Sequence, residues 1–262
     1  QSAEARLTIG NLMLRDSSTG QRIDITNASL LAKTDNINSA VAPSLVTLDL
    51  PSISSEGTAP LAIQDLSFSS SIFRQPSNQL ITLRQEAKLG AATGDMPLRS
   101  GQWRIELSEI NEESLTEFYA MLSRLQVVRS SSSTAAIRET SNLTQRLLLL
   151  LVNSPLSVNA AFDIDAYDGF HSGEMRLSYS GLPQLRNIMG INIKEAIAAS
   201  SLALNLDLDH EAVSQSLAGE MIDSLVQEGY VILSNGRAIM NANLQNSIVE
   251  LNGDVVPVDR FF

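Results

Sequence analysis

The stretch DHEAVSQSLAGEMIDSLVQEGYVILSNGRAIMNANLQNSIVELNG, residues 209–253, decides the fold class of this chain. Its first half has a helical period: Val213, Leu217, Met221 and Leu225 recur at four-residue spacing, along one helix stripe. Asp209 stands where a carboxylate accepts the free N–H groups of a first helical turn. Gly229 stands where a helix ends in a residue that tolerates positive φ. The second half switches to strands. Apolar-rich runs at 230–233, 240–244 and 248–251 are punctuated by Asn235-Gly236 and Asn252-Gly253. Asn-Gly between such runs signals a tight hairpin, because both residues accept the left-handed conformation of a type I′ turn. The segment therefore predicts one helix followed by a short antiparallel meander.

Working upstream, the first hundred residues alternate with period two. Strands are expected over 7–14, from Ile23, over 46–50, 61–68, 80–89 and 99–107, the last with Trp103, Ile105 and Leu107 on one side. The 61–68 run carries a phase slip, Leu61 and Ile63 against Leu66 and Phe68, which predicts a bulge. Residues 17–20 read as a turn. Helices enter only after Asn111, an N-cap for a stripe of Leu115, Phe118, Tyr119, Leu122 and Leu125. A Ser-rich loop is expected over 129–134, and a second helix over 141–152, ended by Asn153-Ser154-Pro155. Strands over 158–164 and 174–179 flank a turn read from Asp168-Gly169 to Gly173. A short helix is expected over 183–189, and 193–200 reads as helical or irregular. Leu202, Leu204, Leu206 and Leu208 then alternate without a break.

The fold class these patterns predict is α+β. An extended, curved, mostly antiparallel sheet carries three or four helices packed on one face. Residues 1–110 form its mostly β N-terminal part and residues 111–262 its α+β C-terminal part, in one continuous domain of a size that buries a real core.

Composition excludes several functions. The formal charge is −11, which disfavours nucleic acid, whose binding needs a clustered basic surface, and disfavours charge-driven docking on anionic lipid. With no cysteine, thiolate catalysis, disulfides, iron–sulfur clusters and cysteine zinc sites are absent. No P-loop, dinucleotide fingerprint or nucleophile elbow is present. The longest apolar run, 147–152, is far short of the roughly 20 residues that span a bilayer. The chain begins at Gln1, so any targeting segment is expected upstream.

From about Leu115 onward the order of elements becomes specific. An amphipathic helix is followed by a Leu-rich helix ending in Asn-Ser-Pro-Leu-Ser-Val (153–158), then a hairpin with glycine at its turn. The closing unit is Leu-Val-Gln-Glu-Gly-Tyr (225–230), a strand, Asn235-Gly236 and Leu-Asn-Gly-Asp-Val-Val-Pro-Val (251–258). This resembles the YdgA-like family of Gram-negative bacterial proteins, over about the last 150 residues. The resemblance implies a periplasmic body, an N-terminal inner-membrane anchor upstream of this chain, and no catalytic residues to carry over.

The candidate chemistry is sparse. His171, in the expected turn, and His210, beside the Asp209 cap, have no ligand or acid–base partner at a defined spacing, so no metal or cofactor is expected. Asp163 and Asp165 alternate with Phe162 and Ile164 and share a strand face near Asp168. Such a carboxylate group suits hydrolysis or calcium, and equally an ordinary solvated strand. Leu202, Leu204, Leu206 and Leu208, with Val46, Leu48, Leu50, Leu61 and Ile63, either line a concave apolar groove for acyl chains or pack under the helices. The expected function is that of a non-enzymatic periplasmic body of a membrane-anchored envelope protein, binding a lipid-like ligand or an envelope protein. A structural module without small ligand and a carboxylate-dependent hydrolase are the alternatives.

Overall fold

The computed structural model describes residues 1–15, 20–56, 60–75, 80–94, 97–129, 134–182 and 185–257. Four long strands come first: β1 (Ala3–Arg15), β2 (Arg22–Thr34), β3 (Ser44–Glu56) and β4 (Leu61–Arg74). Next are β5 (Leu80–Leu89), the short β6 (Ala91–Thr93) and β7 (Leu98–Asn111). Helices α1 (Glu112–Arg129) and α2 (Thr134–Asn153) precede β8 (Leu156–Ala166) and β9 (Gly169–Tyr179). A 3-10 turn at Ile188–Gly190 and α3 (Ile193–Ala198) lead to β10 (Ser200–Asp209). The chain continues through α4 (His210–Ser214), α5 (Gly219–Gln227), β11 (Ile232–Ser234), β12 (Arg237–Gln245), β13 (Ile248–Leu251) and β14 (Asp254–Val256).

These fourteen strands form one antiparallel sheet, in the order β1-β2-β3-β4-β5-β7-β8-β9-β10-β12-β13-β14. β6 lies against β4 and β7, and β11 against β12. Almost every strand pairs with the next in sequence, so the sheet is a meander and the helices are excursions between neighbouring strands. The fold is thus α+β with an extended antiparallel sheet, and its strands run unbroken across the 110/111 junction through the β7–β8 pair.

The hairpin turns form as their residues dictate. Asn235-Gly236 and Asn252-Gly253 all have positive φ, and Ser234 pairs with Arg237 and Leu251 with Asp254 across two-residue loops. Two further turns of this kind carry less obvious residues: Tyr167-Asp168 and Asn246-Ser247, again all at positive φ. The β8–β9 turn is therefore Tyr167-Asp168, not a loop from Asp168 to Gly173. Gly169, His171 and Gly173 belong to β9. Gly173 lies opposite Phe162, whose ring occupies the space a Cβ would need, 2.3 Å away. Asn252 also closes the end of the chain: its Oδ1 accepts from Asn241 N at 2.8 Å and its Nδ2 donates to Tyr230 O at 3.0 Å. Asn252→Ala removes both bonds and a residue suited to left-handed φ. It should cost about 2–3 kcal/mol in urea unfolding.

The expected bulge in β4 is part of a larger feature. Asp65 and, two strands away, Asn27 have positive φ inside their strands. Register places Gly10, Asn27, Pro51, Asp65 and Gly90 in one row across β1 to β4 and the β5–β6 junction. At this row the apolar spacing lengthens from two to three in every strand: Ile9 to Leu12, Ala28 to Ile25, Leu50 to Ile53, Leu66 to Ile63 and Leu89 to Ala92. Gly90 is required there, since a Cβ would lie 2.9 Å from Asp65 Cβ. The row is a crease.

The helical excursions depart from expectation at one point. Asp209 caps as predicted, accepting from Ala212 N at 2.9 Å. The helix then breaks after Ser214. Ser214 Oγ and Ser216 Oγ donate to the carbonyls of His210 and Val213, and Ala218 N donates to Ser216 Oγ. Serine hydroxyls that satisfy backbone groups locally compete with helix continuation. The break resets the phase. Ile222 is buried with Leu225 and Val226 beside it, while Leu217 is 99% exposed and Met221 60%. The single stripe of Val213, Leu217, Met221 and Leu225 is therefore replaced by two short helices. Gly229 (φ +79) ends α5 with Gly229 N donating to Val226 O and Tyr230 N to Leu225 O, a Schellman closure.

Other boundaries shift. Strand β11 starts later than read, at Ile232, β12 starts earlier, at Arg237, and β13 starts at Ile248 as read; α2 begins seven residues before 141 and β7 extends to Asn111, which caps α1 through Glu113 N and Ser114 N. Residues 17–19, 130–133 and 183–184, read above as turn, loop and helix start, lie outside the described residues. What is described nearest the expected 183–189 helix is the 3-10 turn at Ile188–Gly190.

Among the described residues, burial is divided among three small clusters. Leu208, Val213, Ile222, Val231 and Ala238 hold α4 and α5 on the sheet, with Phe162, Leu206 and Met240 packed against them. Met121, Leu125, Leu143 and Leu147 join α1 to α2. Val41, Ile81 and Leu115 pin the start of α1 to the sheet beside Ile72 and Leu83. Tyr179 Oη donates to Val152 O at 2.6 Å, fastening the end of α2 to β9; partial burial raises its phenol pKa.

Candidate functional site

Cross-strand partners share a sheet face, so register alone sorts the side chains. One row reads Leu7, Leu30, Leu48, Phe68, Ala87, Trp103, Phe162, Gly173, Leu206 and Met240 from β1 to β12. The row beside it contains Val46, Ile105, Ala160, Met175, Leu204 and Ala242. This face is apolar. The alternate row reads Thr8, Ser29, Asp49, Ser67, Lys88, Gln102, Asp163, Ser172 and Asp207, so the opposite face is polar.

The apolar face is the one the helices use. Helices α4 and α5 cover it over β8, β10 and β12, and the start of α1 with Val41 covers it at the ends of β4 and β5. Between and beyond these covers it stays open. Leu7 is 54% exposed, Leu30 38%, Val46 36%, Trp103 47% and Ile105 41%. The chain exposes 16614 Å² in all, against about 11,000 Å² for a compact monomer of its mass. Exposed apolar side chains gathered on one sheet face mark an interaction surface.

The four leucines of β10 have different environments. Leu208 is buried beneath α4 and α5, and Leu206 packs against that cluster. Leu202 and Leu204 are half-buried on the uncovered part, Leu204 next to Met175 and Ala242. Of the other residues expected in the groove, Val46 and Leu48 lie on this open face. Leu50 precedes the crease, and Leu61 and Ile63 lie beyond it.

The depressions, however, lie on the polar side. One of about 810 Å³ follows the crease and has a mixed wall, with Leu50, Pro51, Leu66, Leu89 and Phe170 beside Asp49, Asp65, Ser67, Lys88, Gln102 and Asp163. A second of about 430 Å³ continues past Asp163 to Ser172, Glu174, Asn205, Asp207 and Asn241. A third of about 200 Å³ adds Glu86 and Arg104 beside Lys88, Gln102 and Asp163. Of the residues expected to line an apolar groove, Leu50 lines the largest of these depressions, at the crease, where it stands beside Leu66 and Leu89.

The carboxylate group is split. Asp163 lines all three depressions and accepts from Gln102 Nε2 at 2.9 Å. Asp165 and Asp168 are instead drawn to Arg99, which ion-pairs with both. His171 is a strand residue, 6% exposed, its Nε2 3.4 Å from Ala166 O. His210 Nε2 lies 3.1 Å from Asp223 Oδ1. Among the described residues no group of three or more metal-ligating side chains converges, and no helix is long and apolar enough to cross a membrane. Lys88, Gln102 and Phe170 had no signal in the sequence, because a trough assembled across eight strands leaves no local motif.

Comparison with protein-family models, with curated proteins and with solved structures finds no match to this chain.

Proposed function

We propose that the protein is a non-enzymatic binding body of a membrane-anchored bacterial envelope protein, and that it holds a lipid-like ligand on its open apolar face. The supporting observation is the set of exposed apolar side chains Leu7, Leu30, Val46, Trp103 and Ile105 on a single sheet face, left bare between and beyond the two helix-covered parts. A face of this kind, some 24 Å across from β1 to β7 at about 4.8 Å per strand, is long enough to lie along an acyl chain. The periplasmic location and the upstream inner-membrane anchor rest on the YdgA-like resemblance described above.

The test uses protein exported to a bacterial periplasm, measured by native mass spectrometry and lipid extraction. A stoichiometric acyl-chain ligand is expected, and Ile105→Asp should abolish it while leaving the circular dichroism unchanged. Ile105 is the position to vary, because it is exposed on β7 within that span, whereas Leu204 and Leu206 lie on β10 and Leu206 also packs against the α4–α5 cluster. Trp103, the single tryptophan, gives an independent signal: its fluorescence should be quenched by bromine-labelled acyl chains. A clean apo mass with unquenched Trp103 would move the function to an envelope protein partner or a structural module.

A second reading has one observation in its favour. Asp163 lines the trough, so a carboxylate-dependent hydrolase predicts turnover that Asp163→Asn abolishes.

A further inference from the structure

We infer that the polar trough is a binding site for a linear, neutral, polyhydroxylated chain, that is, an oligosaccharide. Its shape requires an elongated ligand. The three depressions share Asp163 and extend from Asp49 on β3 to Asn241 on β12, seven strand spacings or about 34 Å. A ligand that spans all three is elongated.

Its chemistry selects the ligand class. The trough presents both signs of charge: Lys88 and Arg104 stand among Asp49, Asp65, Glu86 and Asp163, while Glu174 and Asp207 are paired with Arg176 and Arg237. An anion meets the carboxylates and a cation meets the lysine and arginine. Several carboxylates already hold a donor, as Asp49 from Ser29 Oγ, Asp163 from Gln102, Glu174 from Arg176 and Asp207 from Arg237. What such groups still offer is acceptor lone pairs at fixed positions. Lys88 and Arg104 offer donors, and Ser67, Gln102, Asn205 and Asn241 offer both. Hydroxyl groups, each donor and acceptor, are satisfied by this wall without any net charge to match.

Phe170 is the second observation. It is 51% exposed at the rim of the largest of the three depressions, an aromatic ring that lines it together with Leu50, Leu66 and Leu89. Its backbone is fixed, since its carbonyl accepts from Arg237 Nη1 at 2.8 Å. An exposed ring beside hydrogen-bonding groups presents an apolar plane to the C–H face of a pyranose.

The experiment is calorimetric titration of the whole chain with linear hexasaccharides of β-1,4-glucose, α-1,4-glucose and β-1,4-N-acetylglucosamine. At least one should bind with a dissociation constant below about 1 mM. Phe170→Ala and, separately, Gln102→Ala should each weaken it about tenfold or more, whereas Leu217→Ser should leave it unchanged. Both varied positions are on exposed strand faces, so the fold is kept and checked by circular dichroism. Three results overturn the proposal: no binding to any of the three at about 10 mM, binding indifferent to Phe170 and Gln102, or preferential salt-sensitive binding of oligolysine, which would make the trough a site for basic peptides.

Discussion

Gly169→Ala should lower the unfolding free energy by about 3 kcal/mol, the upper end for overpacking, although it adds one methyl group. The first residue of β9 passes directly under α4. A Cβ at this position would lie 2.4 Å from Ala212 Cβ and 2.7 Å from Asp209 Cβ. Both atoms are fixed to backbone, one in α4 and one in the residue that caps it, so no rotamer change relieves the contact. The helix must lift off the sheet, loosening Val213 from Leu208 and Ala238. For a chain of this size the loss corresponds to a fall in melting temperature on the order of 6–12 °C. Ala212→Gly on top of Gly169→Ala should recover part of it, because it removes the closer of the two clashing atoms. Thermal unfolding of the four proteins in this cycle measures the coupling directly; additive effects would mean that the helix does not rest on Gly169.

The second large effect separates two neighbouring residues of similar chemistry. Ile222→Ala should cost about 3–4 kcal/mol, since Ile222 is 3% exposed at the centre of the cluster that holds α5 to the sheet. Leu217→Ser should stay within about 0.5 kcal/mol, since Leu217 is 99% exposed. A continuous helix from 210 to 228 would put Leu217 on the inner stripe with Val213 and Leu225 and give it a comparable cost. Urea unfolding of the two variants therefore reads the break after Ser214 without any structure determination.

These two cases show where local pattern stops being informative. The Asp209 cap, the Gly229 stop and both Asn-Gly turns form as their residues imply, because each depends on groups within a few positions. The helix break depends on the same kind of local chemistry, the hydroxyls of Ser214 and Ser216, but a four-residue apolar spacing masked it. The turn at Tyr167-Asp168 was missed for a related reason. Neither residue demands positive φ; the strand pairing on both sides imposes it. The crease was visible in one strand as a phase slip, and its extent became clear only when register aligned five such slips in one row.

The sequence by itself determined the class of the fold, the alternation that makes each strand two-faced, and most turns and caps, because backbone propensity and period are properties of neighbours along the chain. Tertiary structure alone decided what those faces do. It left Trp103 and Ile105 bare while covering Leu208, drew Asp165 and Asp168 to Arg99, and set Asp163 among Lys88, Gln102 and Phe170. Those outcomes depend on register and on where the helices come to rest. Both are set by contacts between residues tens of positions apart, which leave no trace in any local stretch.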